Sequence, residues 1–164
     1  MYISEMGQRE CDSQGCGYYG ASRGSRKHVG VDLTAADNTS LPVGTEVQCG
    51  FSGEVVKVGW AYSQPEKQHL RYVAIKLEKY YVRVFYIEPK VSVGDIITAD
   101  AVVGKSLCLG DFYEGITEHV HFEVYTLKDH SKGIHNKRNF QYVNPNVVLE
   151  ILRFSPYTIE YEIL

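Results

Sequence analysis

The sequence predicts an all-β fold, a compact antiparallel sheet with long loops, on three observations. Val, Ile, Tyr and Phe recur in short runs cut by Gly, Pro and Asp, which is how strands and their turns read in sequence. Several runs alternate apolar with polar side chains, the period of an extended strand with one buried face. No stretch of more than about ten residues repeats apolar positions at helical spacing. With 164 residues, 44% hydrophobic and 23% charged, the chain suits one globular domain with a sizeable core.

In chain order, residues 1–27 are rich in Gly and Ser and read as an N-terminal arm or long loop. Strands are predicted over 28–33, 45–59, 71–78, 81–87 and 118–125, with a turn at Val93-Gly94-Asp95. Residues 28–149 form the β domain. The polar stretch 128–140 reads as a loop, in which His130 and His135 are taken as solvated rather than as ligands. Residues 150–164 form a strand-like tail: from Tyr157 to Leu164 large apolar side chains alternate with polar ones, which suits strand addition to a partner or self-association.

The formal charge of -3 argues against nucleic acid as a partner, since phosphate binding needs a clustered basic face. The trio Arg23, Arg26 and Lys27 reads either as a solvated loop or as a contact for an anionic glycan or phosphate. No apolar run approaches the roughly twenty residues of a membrane span; stretches such as Val147 to Leu149 fall far short of it. Two disulfides are expected, Cys11–Cys16 across a short Gly-containing loop and Cys49–Cys108 from the remaining pair. Disulfides imply an oxidising compartment, and Asn38-Thr39-Ser40 matches the N-glycosylation acceptor pattern. Both favour an extracellular location. The start Met-Tyr-Ile-Ser-Glu-Met lacks the pattern of a signal peptide.

Two segments carry chemistry. In His28-Val-Gly-Val-Asp32-Leu, alternation puts His28, Gly30 and Asp32 on one face and Val29, Val31 and Leu33 on the other. In His119-Val-His121-Phe-Glu123-Val-Tyr125 the histidines and Glu123 share a face opposite Val120, Phe122 and Val124. Side by side, two such strands converge three or four nitrogen and oxygen ligands over an apolar floor, with Gly30 leaving room above the sheet. Zn2+ accepts imidazole and carboxylate in a tetrahedron and in reactive sites keeps a fourth position open. Tyr18 or Tyr19 is available to cover that position.

Those residues, with Val43-Gly44-x-x-Val47 and Gly53-x-Val55-Val56, resemble the lysostaphin-type zinc endopeptidases, whose sheet is of the duplicated-hybrid-motif kind. The resemblance implies zinc held by His28, Asp32 and His121, His119 as a catalytic residue beside the metal, and cleavage of peptide cross-links in bacterial cell walls. Those peptidases also use a histidine in a Tyr-x-His-Leu segment. Here the segment reads Phe85-Tyr86-Ile87-Glu88-Pro89, with Glu88 in the histidine's place, and a missing acid or base costs orders of magnitude in rate.

Further matches are similar to the leukocyte cell-derived chemotaxin 2 family: Cys11-Asp-x-x-Gly-Cys16-Gly-x-Tyr19, Arg26-x-His28-x-Gly-Val-Asp32, Val84-Phe-Tyr-Ile-x-Pro89 and Gly115-Ile-x-x-His119-Val-His121. This resemblance runs from Cys11 to Asn144-Pro145 and implies a secreted, zinc-binding signalling domain that lacks catalysis and binds a cell-surface receptor or another extracellular protein. Thr34 stands where that family has a further cysteine, so only the Cys11–Cys16 bridge carries over. The alternative is a zinc endopeptidase acting on peptidoglycan cross-links or Gly-rich peptides, with Tyr86 or Glu88 filling the missing role.

Overall fold

Alternation of side chains decides the architecture. Val120, Phe122 and Val124 are fully buried, as are Val31, Val73, Ile75, Val82 and Val84 on neighbouring strands, and together they form the main core on one face of a sheet. The interleaved residues Asp32, His121, Glu123, Arg83 and Phe85 stand on the other face and are themselves buried. A polar and aromatic layer therefore covers the face of the sheet opposite the apolar core.

The computed structural model describes residues 1–154. Its strands are β1 (Gly7–Gln8), β2 (Cys11–Asp12), β3 (Gly15–Cys16), β4 (Ser22–Arg23), β5 (Arg26–Lys27), β6 (Val31–Thr34) and β7 (Glu46–Gln48). Then follow β8 (Gly53–Trp60), β9 (Arg71–Leu77), β10 (Tyr80–Pro89), β11 (Ile96–Ile97), β12 (Val102–Ser106), β13 (Val120–Leu127) and β14 (Phe140–Val143), and one helix, α1 (Pro145–Phe154). The main sheet runs β1-β6-β13-β10-β9-β8-β11, with β14 beside β13 and β12 joining β10 to β7. Pairing within it is antiparallel throughout. The all-β class holds, and no described helix is long and apolar enough to cross a membrane.

The two chemistry-bearing segments do lie side by side, since β6 pairs with β13 in a register that sets Asp32 opposite His121. On the other flank of β13, Phe85 of β10 is opposite His121. Strand β10 then changes partner: Tyr81–Phe85 pair with β13, whereas Ile87–Pro89 pair with β12. Tyr86, between them, has φ 65° and sits at a register shift against β9. A bulge of this kind turns one side chain out of the alternating order.

Several expectations are corrected. The segment 45–59 is two strands, because Gly50 at φ 82° breaks the extended run between β7 and β8. Residues 1–27 are built into the domain, with Ile3 and Met6 in the main core. Helix α1 was concealed by its length of about three turns, yet its signals stand in the sequence. The Asn144 side chain accepts from the N–H of Asn146 at 3.1 Å, Pro145 takes the first helical position, and Pro145, Leu149 and Leu152 form the buried stripe. The predicted strand from Tyr157 to Leu164 lies outside the described residues. Asn38, the glycosylation candidate, is exposed and its side-chain oxygen accepts from the N–H of Gln8 at 3.1 Å.

Cys11 and Cys16 are bonded, as expected. Cys49 and Cys108 are free, which overturns the second predicted disulfide. The reason is placement: Cys49 is enclosed in the main core, where burial pushes its thiol up to about 12, while the Cys108 thiol, on the loop after β12, faces the Glu118 carboxylate at 3.5 Å. In denaturant without reductant, a thiol reagent will titrate two groups per chain, and in the native protein only Cys108 will react at a measurable rate. Titration of no thiols in denaturant would restore the Cys49–Cys108 bond.

Candidate metal centre

Asp32 and His121 are delivered by the paired strands β6 and β13. His28 is not, contrary to the reading of 28–33 as one strand: it precedes β6 and closes the β4–β5 hairpin, where its N–H donates to the Ala21 carbonyl at 2.8 Å and its carbonyl accepts from Gly20 at 2.8 Å. Gly30 makes the approach possible. A Cβ there would lie 2.6 Å from His121 Cε1 and 2.5 Å from the Phe122 carbonyl oxygen, so the space expected above Gly30 is filled by the His121 ring.

Three donor atoms meet at one point. His121 Nδ1 lies 2.8 Å from Asp32 Oδ1, His28 Nε2 lies 3.0 Å from His121 Nδ1, and His28 Nε2 lies 3.2 Å from Asp32 Oδ1. For ligands about 2.0–2.1 Å from a tetrahedral zinc the edges of the tetrahedron are about 3.3 Å, so the triangle is nearly of that size. His119 Nε2 stands 3.6 Å from Asp32 Oδ1, at the margin of the group.

Each donor is oriented by a second contact. His28 Nδ1 lies 2.9 Å from the Tyr18 carbonyl oxygen and His119 Nδ1 lies 2.7 Å from that of Thr117. A carbonyl only accepts, so both rings carry their proton on Nδ1 and turn an Nε2 lone pair inward. Asp32 Oδ2 accepts from Arg9 Nη2 at 2.9 Å and from Arg9 Nε at 3.1 Å. His121 Nε2 lies 2.9 Å from Glu123 Oε1, Glu123 is bonded to Arg83, and Arg83 also donates to the Tyr142 hydroxyl at 3.1 Å. The Arg83 guanidinium is held among Phe85, Tyr125 and Phe140 at 5.0–5.2 Å. Hydrogen-bonded carboxylates and carbonyls behind each imidazole are the usual outer layer of a metal site.

Converging lone pairs repel unless a cation lies between them. Without a metal that cation is a proton on His121: burial disfavours its charge, but the Asp32 and Glu123 carboxylates outweigh this and raise the ring to about 9. Asp32 is likewise held well below the ordinary carboxylate range, burial being outweighed by the histidines around it. His119 is lowered, chiefly by burial. The donor set of two imidazoles and one carboxylate suits Zn2+.

Of the other predicted site residues, Glu88 is absent from the centre; it is exposed and pairs with Lys90 at 3.2 Å. The bulge instead puts Tyr86 there, its ring edge-on to His119 at 5.6 Å between centroids and its hydroxyl 3.0 Å from that of Tyr62. Tyr18 contributes its carbonyl and leaves its side chain 48% exposed, while Tyr19 packs on the main core, so neither ring covers the centre. His130 and His135 are exposed. Sequence reasoning missed Arg9 and Arg83, whose partners are set by register between strands.

The chain is 34% identical over 115 residues to leukocyte cell-derived chemotaxin-2 of Mus musculus, covering 70% of this chain and 71% of that protein. It belongs to the chemotaxin-2 family. Chemotaxin-2 of Bos taurus is 31% identical over 121 residues, with 74% of this chain and 75% of that protein covered. Residues 17–135 match the family model described as a domain of unknown function (DUF8155) N-terminal domain. The catalytic domain of the antimicrobial peptidase lysostaphin from Staphylococcus simulans shares the fold, with a TM-score of 0.56 at 20% identity over 85% of this chain and 91% of that one. This chain thus has the fold of the lysostaphin catalytic domain.

The disulfide hairpin braces this centre. Asp12 accepts from the N–H of Gln14 and of Thr117, each at 2.8 Å, and pairs with Arg9 at 2.7 Å, so it ties β2 to the segment leading into His119. Burial opposes the Asp12 charge, but the Arg9 contact and the two N–H donors bring it from 3.8 to about 2. A lowered folded-state value stabilises above 3.8, and that gain is lost as the pH falls to about 2. Asp12→Asn will cost about 2 kcal/mol at neutral pH, measured by urea denaturation, and the difference from wild type will vanish near pH 2. A constant difference across that range would mean the carboxylate charge is not what stabilises.

Proposed function

We propose that this domain holds one zinc ion through His28, Asp32 and His121 and acts, without catalysing a reaction, as a secreted binding domain for a cell-surface receptor or another extracellular protein. The observation that carries the metal assignment is the convergence of His28 Nε2, Asp32 Oδ1 and His121 Nδ1 within 2.8–3.2 Å of one another. Bound there, zinc supplies a fixed positive charge that satisfies three lone pairs at once and joins the hairpin before β6 to β6 and β13. The protein's own groups keep these donors ready: Arg9 holds the Asp32 carboxylate in place, Glu123 orients His121, and the Tyr18 carbonyl fixes the His28 tautomer.

The non-catalytic reading is supported by the residues around the donors. Glu88, which stands in the place of the peptidase histidine, is exposed and away from the donors, and the ring facing His119 is that of Tyr86. Burial and the neighbouring Tyr62 push its phenol well above 10, so it stays protonated and serves no role as a base near neutral pH. An extracellular setting is supported by the Cys11–Cys16 bond and by membership of the chemotaxin-2 family.

A second reading, a zinc endopeptidase acting on peptidoglycan cross-links or Gly-rich peptides, is favoured by one feature. A phenol that keeps its proton beside His119 is a donor for a developing oxyanion. Metal analysis and peptide cleavage separate the two readings. The purified protein will carry one zinc per chain, chelation will lower its melting temperature, and zinc at a hundredfold over its Kd will return about 2.7 kcal/mol. His121→Ala will carry none, and neither protein will cleave pentaglycine or cell-wall cross-link peptides. Cleavage that is lost in His121→Ala would establish the endopeptidase.

A further inference from the structure

The groove above the metal centre is strongly basic in a chain whose formal charge is -3. Seven guanidinium or ammonium groups line it, against two carboxylates, Asp32 and Glu123. Those two are already matched by Arg9 and Arg83, and Arg23 leans on Asp32 at 3.5 Å. The remaining four cations, Arg26, Lys27, Lys137 and Arg138, are exposed. None of the four pairs with a carboxylate among the described residues.

These four come from two separate segments, the β4–β5 hairpin and the 3-10 turn Lys137–Asn139, and both open onto one groove of about 740 Å3. Arg26 and Lys137 lie within range of each other's charge, and Arg26 also acts on Tyr62 and Tyr142 of the groove lining. Partial burial and the charges of Arg83, Lys57 and Arg26 hold the Lys137 ammonium below its ordinary value, with Glu123 opposing. Its surroundings are therefore net positive even next to a buried carboxylate. Exposed like charges brought together repel, and a groove concentrates their field. An anion from outside relieves both.

We infer that this groove binds a run of acidic residues in a peptide segment of a partner protein, held by Arg26, Lys27, Lys137 and Arg138. The choice of a peptide rests on the reading of the domain as one that binds an extracellular protein. It also follows from the floor. Tyr62 and Tyr142 line the groove; the Tyr142 hydroxyl accepts from Arg83 and keeps its own proton to donate to a peptide carbonyl, while guanidinium groups match carboxylates in paired hydrogen bonds.

The test is fluorescence anisotropy of zinc-loaded protein with fluorescein-labelled hexaglutamate, using hexaglutamine and a heparin oligosaccharide as comparison probes. Hexaglutamate will bind, hexaglutamine will not, and affinity will fall as salt rises. Arg26→Glu and Lys137→Glu will each weaken binding on the order of tenfold through the lost rim charge. Lys79→Glu, an exposed reversal on the β9–β10 turn, will change it less than about twofold, with melting temperatures confirming that all three variants fold. Equal weakening by Lys79→Glu, or equal binding of hexaglutamine, overturns the inference. So does heparin binding that responds to Arg26→Glu while hexaglutamate fails to bind, which would assign the groove to a sulfated glycan. Zinc retained without hexaglutamate binding contradicts only this inference; hexaglutamate binding without zinc uptake contradicts only the metal centre.

Discussion

A carboxylate buried with 3% of its side chain exposed has to be matched on all sides, and the arrangement of partners around Asp32 organises the rest of the molecule. Its Oδ2 takes two hydrogen bonds from Arg9, which draws residues 1–27 against β6. Its Oδ1 meets His121 from β13 and His28 from the hairpin before β6. Removing any one of these partners leaves charge unmatched in a buried setting, which costs several times what a surface pair is worth. The N-terminal segment, the central strand pair and the hairpin are thereby joined through one side chain. Zinc at the same point would extend the same logic, adding a cation where lone pairs already converge.

The sheet serves the centre by dividing its faces. Val120, Phe122 and Val124 anchor β13 in the main core, so the intervening His121 and Glu123 are fixed in direction by rigid packing rather than by loop geometry. Arg83 extends the chain of contacts from His121 through Glu123 to Tyr142. The bulge at Tyr86 is the one break in the alternation of β10, and it lies where the strand leaves β13 for β12. A left-handed backbone at a non-glycine residue is costly and persists where the surroundings enforce it. Its effect is to set the Tyr86 phenol against His119.

Much of this was legible in the sequence because two-residue periodicity is a local property. It identified the faces of 119–125 and the shared direction of Asp32 and His121, and the Cys11–Cys16 loop could be read from its spacing. What was not legible depends on contacts between distant segments. Arg9 and Arg83 look like ordinary surface cations until register places them on Asp32 and Glu123. Glu88 was singled out by matching Phe85-Tyr86-Ile87-Glu88-Pro89 to the peptidase segment, whereas the bulge at Tyr86, which no local pattern announces, turns that phenol toward the centre. Cys49 and Cys108 were paired by elimination, and only packing shows one in the core and the other at the surface. The helix was missed despite its Asn144 cap and Pro145 start, because over only about three turns the crowded apolar residues Val147, Val148, Leu149, Ile151 and Leu152 do not single out a helical stripe.

The most direct test of the account is X-ray absorption at the zinc edge of the purified protein. Ligation by His28, Asp32 and His121 predicts nitrogen and oxygen neighbours at about 2.0–2.1 Å, outer-shell scattering from two imidazole rings, and no sulfur. A neighbour at about 2.3 Å would signify thiolate and draw the metal to Cys49 or Cys108, and a spectrum with fewer than two imidazoles would contradict the centre built on Asp32.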